Sequence, residues 1–168
     1  MNNSILLYIG RFLALVLVQV FLLNHINFLG YLNPYIYIVF ILLAPISIHK
    51  SFFLFFSFIL GLTIDLFGDS GGIHSAACIV ITYIRPIILR SVFGLSYEFQ
   101  TVKLSKVGFG ELLIYVTIMV FIHHSILFSL EMFNFSHILL ITKKALFSSL
   151  FSIIIIMLVL VLVRKKDL

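Results

Sequence analysis

The stretch "SFFLFFSFILGLTIDLFGDSGGIHS", residues 51–75, places two carboxylates and a glycine pair at the end of an apolar run. The run approaches the ~20 residues that a membrane-spanning helix needs. Asp65 comes where such a helix leaves the lipid, and Asp69 follows four residues later. The glycines at 71–72 permit a tight reversal of the chain. The stretch therefore predicts two membrane helices joined by a short polar turn.

The composition of the whole chain agrees with a membrane protein. Of its 168 residues, 62% are hydrophobic and 10% are charged, whereas a soluble domain needs more polar surface to cover its core. The 11 basic residues are too scattered for a nucleic-acid surface. Cys78 is the lone cysteine and gives no disulfide framework. We therefore expect an all-α integral membrane protein, with the lipid bilayer as its environment and no nucleic acid as a partner.

Measured against the length of a membrane-spanning helix, the chain has six predicted spans. They form a single polytopic domain, residues 1–168, with helices at about 5–23, 31–48, 52–67, 73–93, 109–130 and 139–163. The first has no basic start and no small-residue cleavage site after it, so we expect a retained helix. Pro34 and Pro45 lie near the ends of the second, where they are expected to cost little. The longest connection, about 94–108, is too short to bury a core of its own.

The distribution of Lys and Arg predicts the orientation. With a cytoplasmic N-terminus, seven of the 11 basic residues lie on the cytoplasmic side: Lys50, Arg90, Lys103, Lys106, Arg164, Lys165 and Lys166. The outer turns near 24–33 and 68–72 contain none. Lys143 and Lys144 are exceptions that either snorkel to the headgroups or precede a last helix that begins near Ala145. Both termini are therefore predicted to be cytoplasmic.

Four charges lie within the predicted spans or at their ends. A charge at the bilayer centre costs at least ~2.5–3.5 kcal/mol, so each is a candidate functional residue. Glu111 begins the fifth span, and Arg85 is the deepest basic group. We expect an intramembrane cluster in the cytoplasmic half, in which Glu111 pairs with Arg85, Arg90 or Arg11. Four independent snorkelling charges are the alternative.

Neither a metal site nor a catalytic site is apparent in the sequence. His123 and His124 are adjacent, so on a helix they point about 100° apart and cannot face one site together. The spacing of Gly61, Asp65 and Asp69 resembles the metal-binding end of the CDP-alcohol phosphatidyltransferase family. However, the upstream residues 44–60 contain no second pair of acids to hold two metal ions. We therefore expect no metal, no cofactor and no enzymatic activity.

Transport is an alternative function. Six short helices with few charges resemble the S-components of energy-coupling-factor vitamin transporters, which bind small solutes. Those proteins tend to carry A-x-x-x-A in the first helix, where this chain has Ala14 followed by Val18. The sequence also shows no convergent polar set that marks a substrate pocket. A small-solute-binding subunit of this kind therefore remains the second interpretation.

Residues 61–84, "GLTIDLFGDSGGIHSAACIVITYI", resemble the rod-shape-determining protein MreD family. That family has a helix ending in G-x-x-x-D followed by two hydrophobic residues, then a glycine-containing turn and a helix that ends with an aromatic residue. The matching residues here are Gly61, Asp65, Leu66, Phe67, Gly72, Ala76 and Tyr83. Gly71 departs from the pattern, because the family usually has Leu there.

The resemblance implies a non-catalytic, multi-pass scaffold of the cell-elongation machinery in the bacterial inner membrane. Its implied partners are a bitopic MreC-like protein, an MreB-like filament protein, and the glycosyltransferase and transpeptidase that synthesise peptidoglycan. The family is similar in fold to the S-components and has no established catalytic residues. Its motif residues are therefore candidate partner contacts. In the predicted orientation the turn lies at the outer face, with Asp65 within reach of headgroups and Asp69 in water, so neither is expected to carry the cost of a buried charge.

Overall fold

A computed structural model describes residues 2–26, 32–46, 48–94, 107–133 and 138–166. The α-helices in these ranges are α1 (Asn2–Phe21), α2 (Val39–Leu42), α3 (Lys50–Gly68), α4 (Ile73–Phe93), α5 (Phe109–Met132) and α6 (Ile138–Lys166). A short 3-10 helix, Leu23–His25, follows α1. All of the α-helices except α2 are long and apolar enough to cross a membrane. The chain is therefore an all-helical, multi-pass membrane protein.

Five of the predicted spans coincide with these long helices. The fourth, 73–93, has the same bounds as α4, and the last begins at Ile138 rather than near Ala145. Most of the predicted connection at 94–108, residues 95–106, falls outside the described residues. Length and hydropathy were sufficient to predict these spans because each of these segments is helical from end to end.

The prediction of a second spanning helix at 31–48 is wrong. In the described part of that range, only Val39–Leu42 is α-helical. The two prolines explain why: Pro34 has no N–H to donate, and Pro45 disfavours a helical conformation at Ala44. As a helix, residues 35–44 between them would span roughly 15 Å, half of the ~30 Å hydrocarbon core. The number of spanning helices is therefore five among the described residues, not six.

Residues 32–46, hereafter the inner segment, are nevertheless mostly buried. Tyr37, Ile38 and Ile41 have no exposed surface, and Leu42 has 1%. The segment packs against core side chains of α3, α4 and α5, including Leu60, Ile81 and Met119. Non-helical backbone is tolerated at membrane depth only where protein or water surrounds it. The long helices therefore form a wall around an irregular peptide.

The four helices that follow the inner segment pack in chain order, with α4 against α3 and α5, and α5 against α6. The first helix is peripheral, and only 17% of its most apolar 18-residue stretch is buried. Leu13, Leu17 and Phe21 on α1 are more than half exposed. In a bilayer these side chains contact lipid, so their exposure carries no hydrophobic penalty.

At Gly61, α3 approaches the backbone of α4 closely. A Cβ at this position would lie 2.6 Å from the backbone nitrogen of Ser75 and 2.7 Å from the carbonyl carbon of His74, both on α4. No real Cβ sits that close to backbone atoms, so only glycine fits. Small residues at such crossings are a general means of bringing membrane helices together. The approach places the end of α3 against the first turn of α4.

Candidate functional site

The Asp65 carboxylate caps the start of α4. Its Oδ1 accepts hydrogen bonds from the Ser70 hydroxyl at 2.6 Å and from the His74 backbone N–H at 3.0 Å. Its Oδ2 accepts from the backbone N–H of Ser75 at 2.9 Å and from the Ser75 hydroxyl at 2.6 Å. The first N–H groups of a helix have no partner within the helix, and negative charge is favoured near them. Asp65 supplies both the acceptors and the charge from a neighbouring helix.

The expectation that Asp65 avoids the cost of a buried charge is therefore wrong. Its side chain is 4% exposed, and the four hydrogen bonds offset its desolvation. Asp69, by contrast, is exposed. It ends α3 in the left-handed conformation, and Gly71 and Gly72 also have positive φ, at 66° and 94°. The two acids of the turn thus have different roles, since only Asp65 joins two helices.

At one end, Gln19 of α1 and Ser152 of α6 hold the backbone of the inner segment. The Gln19 amide donates to the carbonyl oxygen of Pro34 at 3.0 Å and accepts from the N–H of Ile36 at 2.8 Å. The N–H of Tyr35 donates to the Ser152 hydroxyl at 2.9 Å. These bonds replace the hydrogen bonds that a helix would have supplied. Gln19 is completely buried, and its amide nitrogen also donates to the side-chain oxygen of Asn24 at 2.8 Å.

At the other end, Arg85 of α4 and Tyr115 of α5 hold the segment. The Arg85 guanidinium donates to the carbonyl oxygens of Leu42 (3.3 Å) and Ala44, and to the Tyr115 hydroxyl at 3.0 Å. The Tyr115 hydroxyl donates to the carbonyl of Leu42 at 3.3 Å. Arg85 is 3% exposed and lies 5.3 Å from the Phe53 ring centre. A cation is favoured here because α2 ends with unpaired carbonyls.

Between these two ends, Tyr37 links two histidines from different helices. Its hydroxyl lies 2.7 Å from Nδ1 of His74 on α4 and 2.9 Å from Nε2 of His123 on α5. A hydroxyl has one hydrogen, so it donates to one ring nitrogen and accepts from the other. The opposite nitrogen of His123, Nδ1, is buried without a partner among the described residues. Polar groups of two helices, α4 and α5, thus converge on this tyrosine.

His124 faces a different set of partners from His123. Its Nδ1 lies 2.8 Å from the carbonyl oxygen of Val120, and its Nε2 lies 3.1 Å from the Ser152 hydroxyl. The adjacent pair therefore points in two directions, as the helical spacing requires, yet both rings pack around the inner segment. Within the described ranges, no group of three or more His, Cys, Asp or Glu side chains is arranged to hold a metal ion.

A cavity of about 550 Å³ lies beside this network, at the α3–α4 turn. Its walls include Tyr35, Asp69, Ser70, His74, Leu127 and Glu131. Glu131 forms an ion pair with Lys144 at 2.8 Å. Lys144 therefore does not simply snorkel, because it joins the end of α5 to the start of α6. The cavity is large enough for a small molecule, and its walls mix carboxylate, hydroxyl and imidazole groups.

The predicted cluster of intramembrane charges is not found among the described residues. Glu111 accepts a hydrogen bond from the N–H of Gly108 at 3.3 Å and so caps its own helix. Arg85 uses the carbonyl and tyrosine partners given above. Arg11 lies 5.9 Å from the ring centre of Tyr8, and Arg90 is exposed near the end of α4. The prediction failed because backbone carbonyls, which have no sequence signature, replaced the expected carboxylate.

The motif residues of 61–84 divide into two groups. Gly61, Asp65 and Gly72 build the joint between α3 and α4. Phe67 and Tyr83 are 62% and 55% exposed. Ala76 is half-buried on the first part of α4. The Tyr83 ring also lies 4.1 Å from the ammonium nitrogen of Lys50, which begins α3.

The sequence interpretation missed most residues of the network. The missed groups are Gln19, Tyr37, His74, Tyr115, His123 and Ser152. Polar side chains within apolar spans were the available signal, because each must find a partner in lipid. The short interval between Pro34 and Pro45 was the other signal. Neither signal identifies which residues would meet.

Comparison with known proteins adds no relative. No protein-family model matches the chain, and no curated protein or solved structure matches it.

Proposed function

We propose that the chain is a non-catalytic membrane scaffold of the MreD type, acting in the cell-elongation machinery of a bacterial inner membrane. In this proposal it works with an MreC-like bitopic protein and an MreB-like filament protein to position the peptidoglycan glycosyltransferase and transpeptidase. The main support is the sequence pattern of residues 61–84 together with the geometry of the same residues. Gly61 and Asp65 fix the joint, Phe67 is exposed near the end of α3, and Tyr83 is exposed on α4 beside Lys50.

The way the buried charges are used also supports a scaffold. Asp65 binds backbone and hydroxyl groups of the α3–α4 turn, and Arg85 binds carbonyls of the inner segment. A catalytic acid or base must reach a substrate proton, whereas these two groups are enclosed by their own chain. Their hydrogen bonds stabilise the fold and leave the lipid-facing side chains as the means of recognition.

The exposed motif residues provide the test. In the host bacterium, replacing the gene with a Phe67→Ala/Tyr83→Ala double variant is expected to turn rod-shaped cells into rounded ones and to abolish co-purification of a bitopic membrane partner. Phe147→Ala is the matched control, because Phe147 is a 51% exposed aromatic residue on α6. If the double variant supports rod shape as well as the control does while both reach the membrane in equal amounts, Phe67 and Tyr83 are not the partner contacts. If deletion of the whole gene leaves the rod shape intact, the scaffold proposal itself is wrong.

The cavity at the α3–α4 turn favours a second candidate, a small-solute-binding subunit similar to the S-components. Polar groups of Tyr35, Ser70 and His74 face about 550 Å³ of space there. A solute bound in the cavity would raise the melting temperature of the purified protein, and the rise would grow with the logarithm of its concentration over Kd. A screen of vitamins and similar solutes that raises the melting temperature of the wild type, but not of His74→Phe, would favour this second function.

A further inference from the structure

A groove of about 540 Å³ lies between α1, the inner segment and α3, and it adjoins the Arg85 end of the network through Ala44 and Phe53. Its walls are mainly aromatic and aliphatic, and they include Phe12, Phe40, Pro45, Phe53 and Phe56. Two of its walls meet directly, since the rings of Phe12 and Phe40 are in edge-to-face contact at 5.5 Å. The groove borders α1, the helix with the smallest buried fraction, so it is accessible from the lipid.

Arg11 contributes a positive charge to the wall of this groove. It lies within the candidate membrane span Leu6–His25. Apart from the Tyr8 ring, the described residues offer it no partner: the one ion pair they form joins Lys144 and Glu131. A guanidinium at this depth is costly unless it meets a headgroup or a counter-ion. The described residues provide the cation and an apolar wall, but no complementary anion.

We propose that this groove binds an anionic phospholipid, with an acyl chain along the aromatic walls and the phosphate on Arg11. The planar guanidinium matches the oxygen geometry of a phosphate, which accepts two parallel hydrogen bonds. In the predicted orientation, Arg11 lies in the cytoplasmic half of the membrane, where anionic lipids attract basic side chains. The site is independent of the scaffold proposal, because it uses none of the residues of the 61–84 motif.

A transmembrane helix of another protein fits this groove less well. Helices approach each other closely in lipid where small residues line the contact, as they do at Gly61. The groove instead presents four phenylalanine rings, from Phe12, Phe40, Phe53 and Phe56. A flexible acyl chain can follow such an uneven wall, whereas a cylinder about 10 Å wide cannot. The charge of Arg11 would also need an acidic residue on the incoming helix.

Native mass spectrometry of the purified full-length chain tests the site. The probes are palmitoyl-oleoyl phosphatidylglycerol and palmitoyl-oleoyl phosphatidylcholine, titrated separately. The wild type is expected to bind the first phosphatidylglycerol about fivefold more tightly than the first phosphatidylcholine. One basic contact to the headgroup is enough for a preference of this size. Arg11→Gln is expected to bind the two lipids equally. Lys143→Gln removes an exposed charge on α6 and is expected to keep the preference. A preference that survives in Arg11→Gln would overturn the proposal.

A second pair of variants tests the groove separately from the charge. Leu13 and Leu17 of α1 are each 53% exposed, but only Leu13 lines the groove. Leu13→Trp is expected to weaken binding of both lipids severalfold, and Leu17→Trp is expected to leave it unchanged. Equal effects of the two tryptophans would contradict a defined groove.

A photo-crosslinking residue at position 13 is expected to label lipid in cells, and a specific crosslink to a membrane protein would show that a partner helix occupies the groove instead.

Discussion

At the α3–α4 turn, Asp65 binds the N–H groups of His74 and Ser75, which are nine and ten positions away in the chain. In the inner segment, the N–H of Tyr35 binds Ser152, which is 117 positions away. Both regions solve the same problem, because an unsatisfied backbone group in lipid costs several kcal/mol. The turn solves it with a local motif, and the inner segment solves it with side chains from four helices.

The difference shows how the two regions depend on the rest of the protein. The turn needs only α3 and α4, so it is expected to form as soon as these two helices meet. The inner segment needs α1, α4, α5 and α6 in place before its backbone groups have partners. The local joint is therefore a unit that other folds could reuse, whereas the inner segment is specific to this arrangement of helices.

Arg85→Met would break the inner segment and is expected to have the largest effect. It leaves the carbonyls of Leu42 and Ala44 without their charged donor, which costs about 3–5 kcal/mol of unfolding free energy. Arg85→Lys keeps the charge but loses the planar fork, so an intermediate loss is expected. Unfolding in mixed micelles measures both. If Arg85→Met is as stable as the wild type, this end of the segment is held by other contacts.

Asp65→Asn would break the joint. The amide nitrogen of Asn cannot accept the hydrogen bonds from N–H and O–H donors, so a loss of about 2–3 kcal/mol is expected. Asp69→Asn is the matched control at the same turn. Asp69 is exposed and has a φ of 48°, which Asn also adopts readily, so its change is expected within about 0.5 kcal/mol. Similar losses in the two variants would contradict the cap.

Gly61→Ala tests the helix approach that brings Asp65 to α4. The added methyl meets the backbone of His74 and Ser75, and a loss of about 1–3 kcal/mol is expected from overpacking. Gly110→Ala is the control, since a Cβ on Gly110 of α5 meets no atom within 4 Å. That variant is expected to be neutral or slightly stabilising. The thermal stabilities of the two variants, compared in one detergent, should move in opposite directions or differ by several degrees.

Of these variants, Ser152→Ala is expected to have the smallest effect on the stability of the inner segment. It removes the acceptor of the Tyr35 N–H and a partner of His124. Hydrogen bonds of this kind between membrane segments contribute about 0.6 kcal/mol on average, so a loss near that value is expected. Ser91→Ala, at an exposed site on α4, is expected to have no effect. A loss as large as that of Arg85→Met would mean that Ser152, rather than Arg85, is the main support of the inner segment.

The sequence predicted the five long helices because each has a continuous apolar run. It singled out Gly61 and Asp65 as motif residues and candidate partner contacts, but it did not predict that they join α3 to α4. It failed at residues 31–48, where hydropathy does not distinguish a helix from a buried, irregular segment of the same composition. It also expected Glu111 to pair with Arg85, Arg90 or Arg11 by charge, whereas the structure pairs Arg85 with carbonyls of Leu42 and Ala44. Contacts between residues that are distant in the chain leave no pattern in a single sequence. Hydrogen bonds to backbone acceptors leave none either.

Solid-state NMR of the full-length chain in lipid bilayers tests the inner segment most directly. The backbone carbon chemical shifts of residues 33–37 are expected to be non-helical, and those of Val39–Leu42 helical. The amide protons of Tyr35 and Ile36 are expected to exchange slowly with water, because side chains accept their hydrogen bonds. Helical shifts running without interruption from residue 33 to residue 46 would contradict the account, since Gln19, Arg85 and Ser152 would then have no exposed backbone to hold.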